Sequence, residues 1–364
     1  MKILILGTGS AQYDAIRWCR DAGHEVHGCG LARVGLGVGE LDRFFESDVR
    51  DIDRVAGYCR EHGIELVYSV GSDIAMPTVG AVSARLGLRH FVPESVAAVC
   101  QDKGRLREAL GPDFEWNVVH AVAASPVELA RWDRFPCIIK PVDSQGQRGV
   151  HACHGHKELA ARFAEAAAFS RAGRVIVEEL IEGQEISVNV HIAGGAARFL
   201  QTSDRFVYED QPGGLVREHR VPSRVAGADE VGPMVNETVR RLGISDGPVY
   251  FQAKIGERGL RLLEVTPRLD GCHLWRLIRY STGLDLLEAA FRHLLDGAAP
   301  DLPPPSWVRP GALRFLSERP GVRVDRGAFD PGRPDFLQWY YSQGEEVRPV
   351  NGHFEKVGYL VEME

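Results

Sequence analysis

Short apolar runs alternate with amphipathic helical segments over residues 1 to about 93, and this alternation restricts the fold more than any other feature. The apolar runs lie at 3–6, 25–28 and 66–70, and the helical patterns at 11–22, 51–62 and 77–86. Buried strands separated by helices form parallel sheets, because the helix carries the chain back to start a parallel neighbour. The sequence therefore predicts a Rossmann-like, doubly wound half-domain at the N-terminus.

A glycine-rich turn, GTGSAQYD, follows the first apolar run. Such a turn before a helix can hold a pyrophosphate, as in dinucleotide-binding proteins. Here Gln12 stands where the third Gly of GxGxxG belongs, and the second strand ends in Gly28-Cys29-Gly30, without an acid for a ribose hydroxyl. A tight strand–helix turn is favoured, and a nicotinamide-dependent enzyme stays as the alternative from another class.

The segment IIKPVDSQGQRGV, residues 138–150, places Lys140 at the end of a buried strand. Ser144, Gly146 and Gly149 follow in a loop of small residues, whose backbone N–H groups can fold over phosphates. The loop lacks GxxxxGK[ST] and is not a P-loop. We predict a phosphate-binding loop, and the alternative is a surface hairpin with a solvated Lys140.

The segment LLEVTPRLDG, residues 262–271, carries an acid in an apolar strand and an arginine after a Pro-stiffened turn. A buried Glu264 needs a metal or a cation, and Arg268 suits a phosphate oxygen. Gln252 lies on the preceding strand, YFQAK, across a predicted hairpin. Oxygen ligands from adjacent strands suit Mg²⁺, while the alternative is a Glu264–Arg268 ion pair without metal.

Between these two segments lies VEELIEGQEISVN, residues 177–189, a strand–turn–strand pattern that offers backbone groups to a purine edge. The chain thus gives, in order, a Rossmann-like start, Lys103, KP-x-D-S-x-G-x-x-G, VEE-x-I-x-G-x-E and Q…E-x-x-P-R. This order resembles the ATP-grasp superfamily, in particular its carboxylate–amine (or thiol) ligase branch. The resemblance covers roughly residues 1 to 300, and its motifs are specific together rather than singly.

The resemblance implies a ligand contact for each matching residue. The nucleotide phosphates would contact Lys103, Lys140 and the loop residues Ser144, Gly146 and Gly149. The adenine hinge would be Glu178, Glu179, Leu180 and Ile181, mostly through the backbone, and Glu185 would bind the ribose. Mg²⁺ would be held by Gln252 and Glu264, and the catalytic cations would be Arg268 and Lys140.

The chain departs from the family pattern at Thr266, where E-x-N-P-R would have Asn. A Thr hydroxyl can still ligate Mg²⁺, so Thr266 is kept as a metal ligand, but it is shorter than an amide. This departure supports a further alternative, a nucleotide-binding protein that does not catalyse.

The candidate substrate residues are Ser72, Asp73, Arg205 and Arg220. Ser72 and Asp73 end a strand of the first sheet, where ligands of open α/β sheets bind, and helix capping is their alternative role. Arg205 and Arg220 lie in the polar segment 202–223 and suit a carboxylate, although a solvated loop would explain them as well.

The composition limits the possible binding partners and the cellular location of the protein. The net charge of −7 argues against a phosphate-backbone surface, and no apolar stretch is long enough to span a bilayer. Seven cysteines, an odd number without a CxxC, indicate free thiols. The start, MKILILGTG, reads as a first strand rather than a signal peptide. We expect a cytoplasmic protein with no nucleic-acid or membrane partner, and a homodimer is a general expectation for enzymes of this size.

The sequence thus predicts a mixed α/β and α+β chain with an ATP-grasp fold. The predicted parts are a Rossmann-like pre-ATP-grasp domain (1–98), a lid subdomain (99–181), a β-rich subdomain with the Mg²⁺ and phosphate site (182–302) and a β-rich C-terminal extension (303–364). The expected activity uses ATP and Mg²⁺ to phosphorylate a carboxylate substrate, whose acyl phosphate an amine then captures. Within the same fold, a carboxylase or a kinase-type phosphotransferase is the alternative.

Overall fold

The structure is a computed structural model, and it describes residues 1–144, 148–208, 215–302, 308–350 and 354–364. Gly146, one of the predicted phosphate-loop residues, lies outside these ranges. The strands of the described residues form three sheets, of four, four and eight strands.

The first sheet confirms the parallel N-terminal domain. Its strands have the order β3-β2-β1-β4 and pair in parallel. They are β1 (Lys2–Leu6), β2 (Glu25–Gly30), β3 (Arg43–Glu46) and β4 (Leu66–Tyr68), with helices α1 (Ser10–Asp21), α2 (Ile52–His62) and α3 (Met76–Leu86). Helix α2 begins where Asp51 accepts a hydrogen bond from the Arg54 N–H at 3.0 Å, and ends at Gly63 with φ 65°.

The second sheet is antiparallel, with the order β5-β8-β6-β7, and has its own apolar core. The elements of this part are α4 (Glu94–Gln101), α5 (Lys103–Leu110), β5 (His120–Ala123), β6 (Cys137–Pro141), β7 (His151–Cys153), α6 (His156–Ala168) and β8 (Val175–Glu179). Strands β6 and β8 are neighbours, so the predicted phosphate lysine and the predicted adenine hinge lie side by side.

The third sheet runs β13-β12-β9-β10-β11-β14-β16-β15. Its strands are β9 (Gln184–Ala193), β10 (Ala196–Val207), β11 (Val216–Val221), β12 (Gly247–Gly256), β13 (Gly259–Thr266), β14 (Gly311–Glu318), β15 (Phe336–Trp339) and β16 (Glu355–Met363). The helices are α7 (Ala228–Leu242), α8 (Leu274–Thr282) and α9 (Leu286–Asp296). The β12–β13 hairpin confirms the predicted hairpin.

Strands from the predicted β-rich subdomain and the predicted C-terminal extension join the same sheet, because β11 pairs with β14. The ranges of the four predicted parts therefore stay a prediction. The segment 202–223, considered as a solvated loop, instead supplies the end of β10 and the strand β11. Among the described residues, no helix is long and apolar enough to cross a membrane.

Candidate functional site

A buried ionic cluster joins strands β6 and β8 to helix α5. Lys140 Nζ lies 2.5 Å from one carboxylate oxygen of Glu178, and the Arg107 guanidinium donates to the other oxygen at 2.9 and 3.1 Å. The Glu178 side chain is only 4% exposed. Burial would raise the pKa of Glu178, but the charges of Lys140 and Arg107 outweigh it and lower that pKa to about 2. Glu178 therefore stays ionised and fixes the Lys140 ammonium in place.

Arg107 was not among the predicted site residues. It is 1% exposed and also donates to the carbonyls of Leu262 and Leu263 at 2.8 and 3.1 Å. It thereby connects the lysine–glutamate pair of the second sheet to strand β13, directly before Glu264. Its position four residues after Lys103 places both side chains on one face of α5, and that spacing could have identified it.

The predicted phosphate loop is held in place where it begins, at Asp143 and Ser144. Lys103 Nζ donates to the Ser144 carbonyl at 2.9 Å, so this predicted phosphate ligand reaches the loop. Asp143 accepts hydrogen bonds from Ser170 Oγ and from two backbone N–H groups. Gly149 has φ 72°, and a Cβ there would lie 2.8 Å from the Phe169 ring, so the loop requires glycine at this position.

Three predicted Mg²⁺ ligands converge on the β12–β13 hairpin. Gln252 pairs with Glu264, and alternation along β13 puts Thr266 on the same face as Glu264. Among the described residues, Glu264 makes no salt bridge, and the buried Thr266 hydroxyl has no hydrogen-bond partner. Gln252 donates its amide N–H to Glu185 at 3.0 Å, which leaves its amide oxygen available. One carboxylate, one amide oxygen and one orphan hydroxyl fit a hard cation.

Arg268 forms an ion pair with Asp73, a partner that the sequence did not predict. Its guanidinium donates to both carboxylate oxygens of Asp73, at 2.7 and 2.6 Å. The alternative Glu264–Arg268 ion pair is not formed in the described part of the chain. Asp73, a predicted substrate residue, thus orients Arg268, and Ser72 beside it does not cap the following 3-10 helix through its side chain.

Several backbone and side-chain groups of the predicted adenine hinge already bond to other parts of the protein. The Leu180 N–H donates to the Pro136 carbonyl at 3.1 Å, and the Ile181 carbonyl accepts from Lys254 Nζ at 3.2 Å. The Glu179 side chain pairs with Arg258 and accepts from the Val119 N–H at 3.2 Å. Within the described ranges the Ile181 N–H has no backbone partner, and it is the hinge donor that stays available.

Glu185, the predicted ribose ligand, sits among cations. It pairs with Arg205 and lies 3.6 Å from Lys254 Nζ. Arg205 is 8% exposed and lies on the same sheet face as Glu185, because the two residues pair across β9 and β10. The carboxylate of Glu185 is therefore held in place, and Arg205 lies next to the predicted nucleotide site.

Arg220 is corrected as a substrate residue. Arg220 of β11 pairs with Asp204 of β10, whereas its neighbour His219 pairs with Arg205. Because side chains alternate along a strand, Arg205 and Arg220 lie on opposite faces of the sheet. Arg220 bonds Glu218 and lines a separate outer groove of about 700 Å³. It is therefore removed from the site.

A buried polar network follows the Arg268 turn and joins three distant parts of the sequence. Asp14 of α1 lies 3.2 Å from His273 Nδ1, and the Tyr340 hydroxyl lies 2.7 Å from His273 Nε2. Asp14 also accepts from Arg276 at 2.7 Å. His273 has φ 58°, an uncommon value for a non-glycine residue. None of these contacts leaves a local signature, so sequence reasoning could not place them.

Asp270, in the same turn, supplies a pH-dependent prediction. Burial raises its pKa to about 6 although its carboxylate accepts from the Cys272 and Leu274 N–H groups. A raised pKa means that the neutral form favours folding, so this contribution is present at low pH and is lost as pH rises from about 4 to above 6. Asp270→Asn should remove up to ~3 kcal/mol of pH dependence over that window. Urea unfolding of both proteins at pH 4.5 and 7.5 measures it, and equal pH slopes would contradict it.

Comparisons with known proteins bear on the family and the fold of the chain. Residues 133–274 match the ATP-grasp domain family. An uncharacterized protein of Sinorhizobium fredii is 24% identical over 302 residues, which are 78% of this chain and 61% of that protein. A phosphoribosylamine–glycine ligase of Methanobrevibacter smithii is 24% identical over 207 residues, 53% of this chain and 47% of that protein. The chain spans about half the length of these curated relatives.

A similar solved structure covers the whole chain. The biotin carboxylase domain of 2-oxoglutarate carboxylase from Hydrogenobacter thermophilus, solved with MgADP and bicarbonate, has a TM-score of 0.81 and 16% identity, over 100% of this chain and 86% of that chain. At this identity the likeness shows the fold. The predicted ATP-grasp fold, with its parallel N-terminal sheet, is confirmed.

Proposed function

The chain carries an ATP-grasp domain, and we propose that it is an ATP- and Mg²⁺-dependent ligase. It activates a substrate carboxylate as an acyl phosphate and joins it to an amine, releasing ADP and phosphate. One observation carries the proposal: Arg107 holds the Lys140–Glu178 pair against strand β13, beside Glu264. This link between the lysine-bearing sheet and strand β13 supports the proposal, because phosphoryl transfer needs a fixed cation and a carboxylate that can hold a metal around the same phosphates.

The residues of the β12–β13 hairpin suit Mg²⁺, with Glu264, Thr266 and the amide oxygen of Gln252 as its ligands. When bound, Mg²⁺ neutralises and orients phosphate oxygens. The orphan hydroxyl of Thr266 supports this set, because a buried hydroxyl without a partner is costly unless a ligand satisfies it. Thr266 in place of Asn is thus compatible with a metal, and the non-catalytic alternative loses its main support.

The cations of the site have separate tasks. Lys140, held by Glu178, would contact the nucleotide phosphates together with Lys103 from the loop side. Arg268, held in one orientation by Asp73, would face the transferring phosphate, where charge develops. Because both guanidinium bonds to Asp73 are already formed, Arg268 needs no reorganisation during the reaction.

The nucleotide base and the loop complete the proposed site. The available Ile181 N–H would bind the purine edge, and Glu185 would contact the ribose. The loop that contains Ser144 and Gly149 would exclude water, since hydrolysis of an acyl phosphate wastes the intermediate. An amine acceptor is supported by the relative named phosphoribosylamine–glycine ligase. Small-molecule substrates, a cytoplasmic location and a homodimer are proposed with it.

The test is release of ADP and phosphate from ATP and Mg²⁺, screened over pairs of carboxylates and amines. Stoichiometric ADP and phosphate release that requires both members of one pair is expected, and mass spectrometry should then find the amide. ATP binding without stimulation by any pair would favour the non-catalytic alternative. Failure of ATP to stabilise the protein in a thermal-shift assay would overturn the proposal.

A further inference from the structure

Lys356, in the last strand of the eight-stranded sheet, makes no salt bridge with the residues that the structure describes. Lys356 Nζ lies 3.4 Å from the centroid of the Phe315 ring and 3.6 Å from Cys272 Sγ. No carboxylate of the described residues lies within 4.0 Å of this ammonium. Burial lowers the pKa of Lys356, so its surroundings oppose a charge that they do not neutralise.

The nearby ionisable groups act on Lys356 in both directions, because Arg205 disfavours its charge whereas Cys272 and Asp270 favour it. Arg205 repels Lys356 and is already paired with Glu185. His219 is fully buried, and burial together with the charges of Arg205 and Lys356 lowers its pKa far below the usual range. Asp270 acts on Lys356 only through space, and burial raises its pKa. Among the described residues the Lys356 ammonium therefore has no carboxylate in direct contact, and it can still pair with the carboxylate of a ligand.

The cluster is open and adjoins the proposed catalytic site. Lys356 and Cys272 are both partly exposed. Cys272 comes four residues after Arg268, and Arg205, whose charge acts on Lys356, pairs with the predicted ribose ligand Glu185. The Tyr250 hydroxyl, 2.9 Å from Ser187 Oγ, lies on the same side of the sheet as Arg205.

We propose that Lys356, with Phe315 and Cys272 around its ammonium, binds a carboxylate of the small-molecule substrate. This inference rests on the proposed ligase function and specifies that one substrate bears an anionic group recognised by Lys356 rather than by the proposed Mg²⁺ ligands. A carboxylate fits better than a phosphate, because a single unpaired ammonium beside an aromatic ring and a thiol offers one charge and few donors. An α-amino acid used as the amine is a substrate of this chemistry.

The test uses the half-exposed thiol beside the lysine and does not depend on turnover. Iodoacetate and iodoacetamide alkylate a thiolate with loss of iodide, and they differ only in a carboxylate against a neutral amide. The other six cysteines are buried, so Cys272 should react first, as peptide mass spectrometry would show. The ratio of the two rates at Cys272 cancels the reactivity of the thiol itself. Relative to free N-acetylcysteine, that ratio should favour iodoacetate by about tenfold or more.

Lys356→Met should remove this preference, Lys356→Arg should keep it, and Lys157→Met, at an exposed lysine of α6, should leave it unchanged. Equal ratios in wild type and Lys356→Met would overturn the inference. A Cys272 that neither reagent reaches would also overturn it, because the cluster would then be closed to small carboxylates. Thermal unfolding of each variant checks that the fold is retained.

A turnover measurement separates this inference from the ligase proposal. With an active pair from the ADP-release screen, Lys356→Met should raise the KM of the carboxylate-bearing substrate about tenfold or more, and leave the KM of ATP and of the corresponding carboxamide unchanged. If Lys356→Met loses the iodoacetate preference of the wild type but no substrate pair gives turnover, only the ligase proposal is contradicted. Turnover in which Lys356→Met affects the acid and the amide equally would contradict only the carboxylate site.

Discussion

Replacing Glu264 with Gln should reduce ADP release by about 10²- to 10³-fold while the protein stays folded. Glu264 is the only carboxylate among the three proposed Mg²⁺ ligands, and Gln keeps its size while removing its charge. The fold should tolerate the change because Glu264 makes no salt bridge with the residues that the structure describes. Initial rates at saturating ATP, over a titration of Mg²⁺, measure the effect.

A matched control lies in the same hairpin. Glu257 is exposed at the turn between β12 and β13, so Glu257→Gln makes the same chemical change away from the site. The control should keep wild-type turnover. If Glu264→Gln loses activity and higher Mg²⁺ restores part of it, Glu264 acts through the metal. Turnover equal to that of the control would remove Glu264 from the site and with it the proposed metal set.

How far the sequence predicts this site depends on how local each feature is. Lys140, Glu264 and Arg268 lie in short segments whose residues are close in sequence, and the order of those segments together predicts the fold. The parallel first sheet follows from alternating strands and helices for the same reason. The β12–β13 hairpin was also accessible, because a short turn joins two apolar runs. Its full register was not, since the turn alone would pair Gln252 with Leu263, and a register shift between Gln252 and Ala253 pairs Gln252 with Glu264 instead.

Contacts between distant segments were not accessible. The partner of Arg268 is Asp73, 195 residues away, and the Arg107 bridge reaches across 71 residues to Glu178 and 155 to Leu262. Arg205 and Arg220 lie in one polar segment, yet alternation puts their side chains on opposite faces of the sheet. Which face each side chain takes depends on where the strands begin and end, and the sequence did not predict strands in this segment. Its polarity alone therefore predicted neither the strands nor the sheet face of each arginine.

Arg107→Met should lower the free energy of unfolding by about 3–5 kcal/mol, the cost of removing one partner from a buried ion pair. Arg107 is 1% exposed, and its loss leaves Glu178 with Lys140 alone and the Leu262 and Leu263 carbonyls without their donor. Met fills much of the same volume, so the change mainly removes charge and hydrogen bonds. Urea unfolding measures the effect.

Arg105→Met is the control for that measurement, because Arg105 lies on the exposed face of the same helix and should change stability by less than about 0.5 kcal/mol. The two variants also separate stability from catalysis. Arg107→Met should lower turnover, because β13 is no longer tied to the sheet that carries Lys140. The loss should be smaller than in Glu264→Gln, because the folded variant keeps the Glu178–Lys140 contact. Equal stability of the two arginine variants would mean that the second sheet and β13 are held together by packing instead, and the link through Arg107 would no longer support the proposed site.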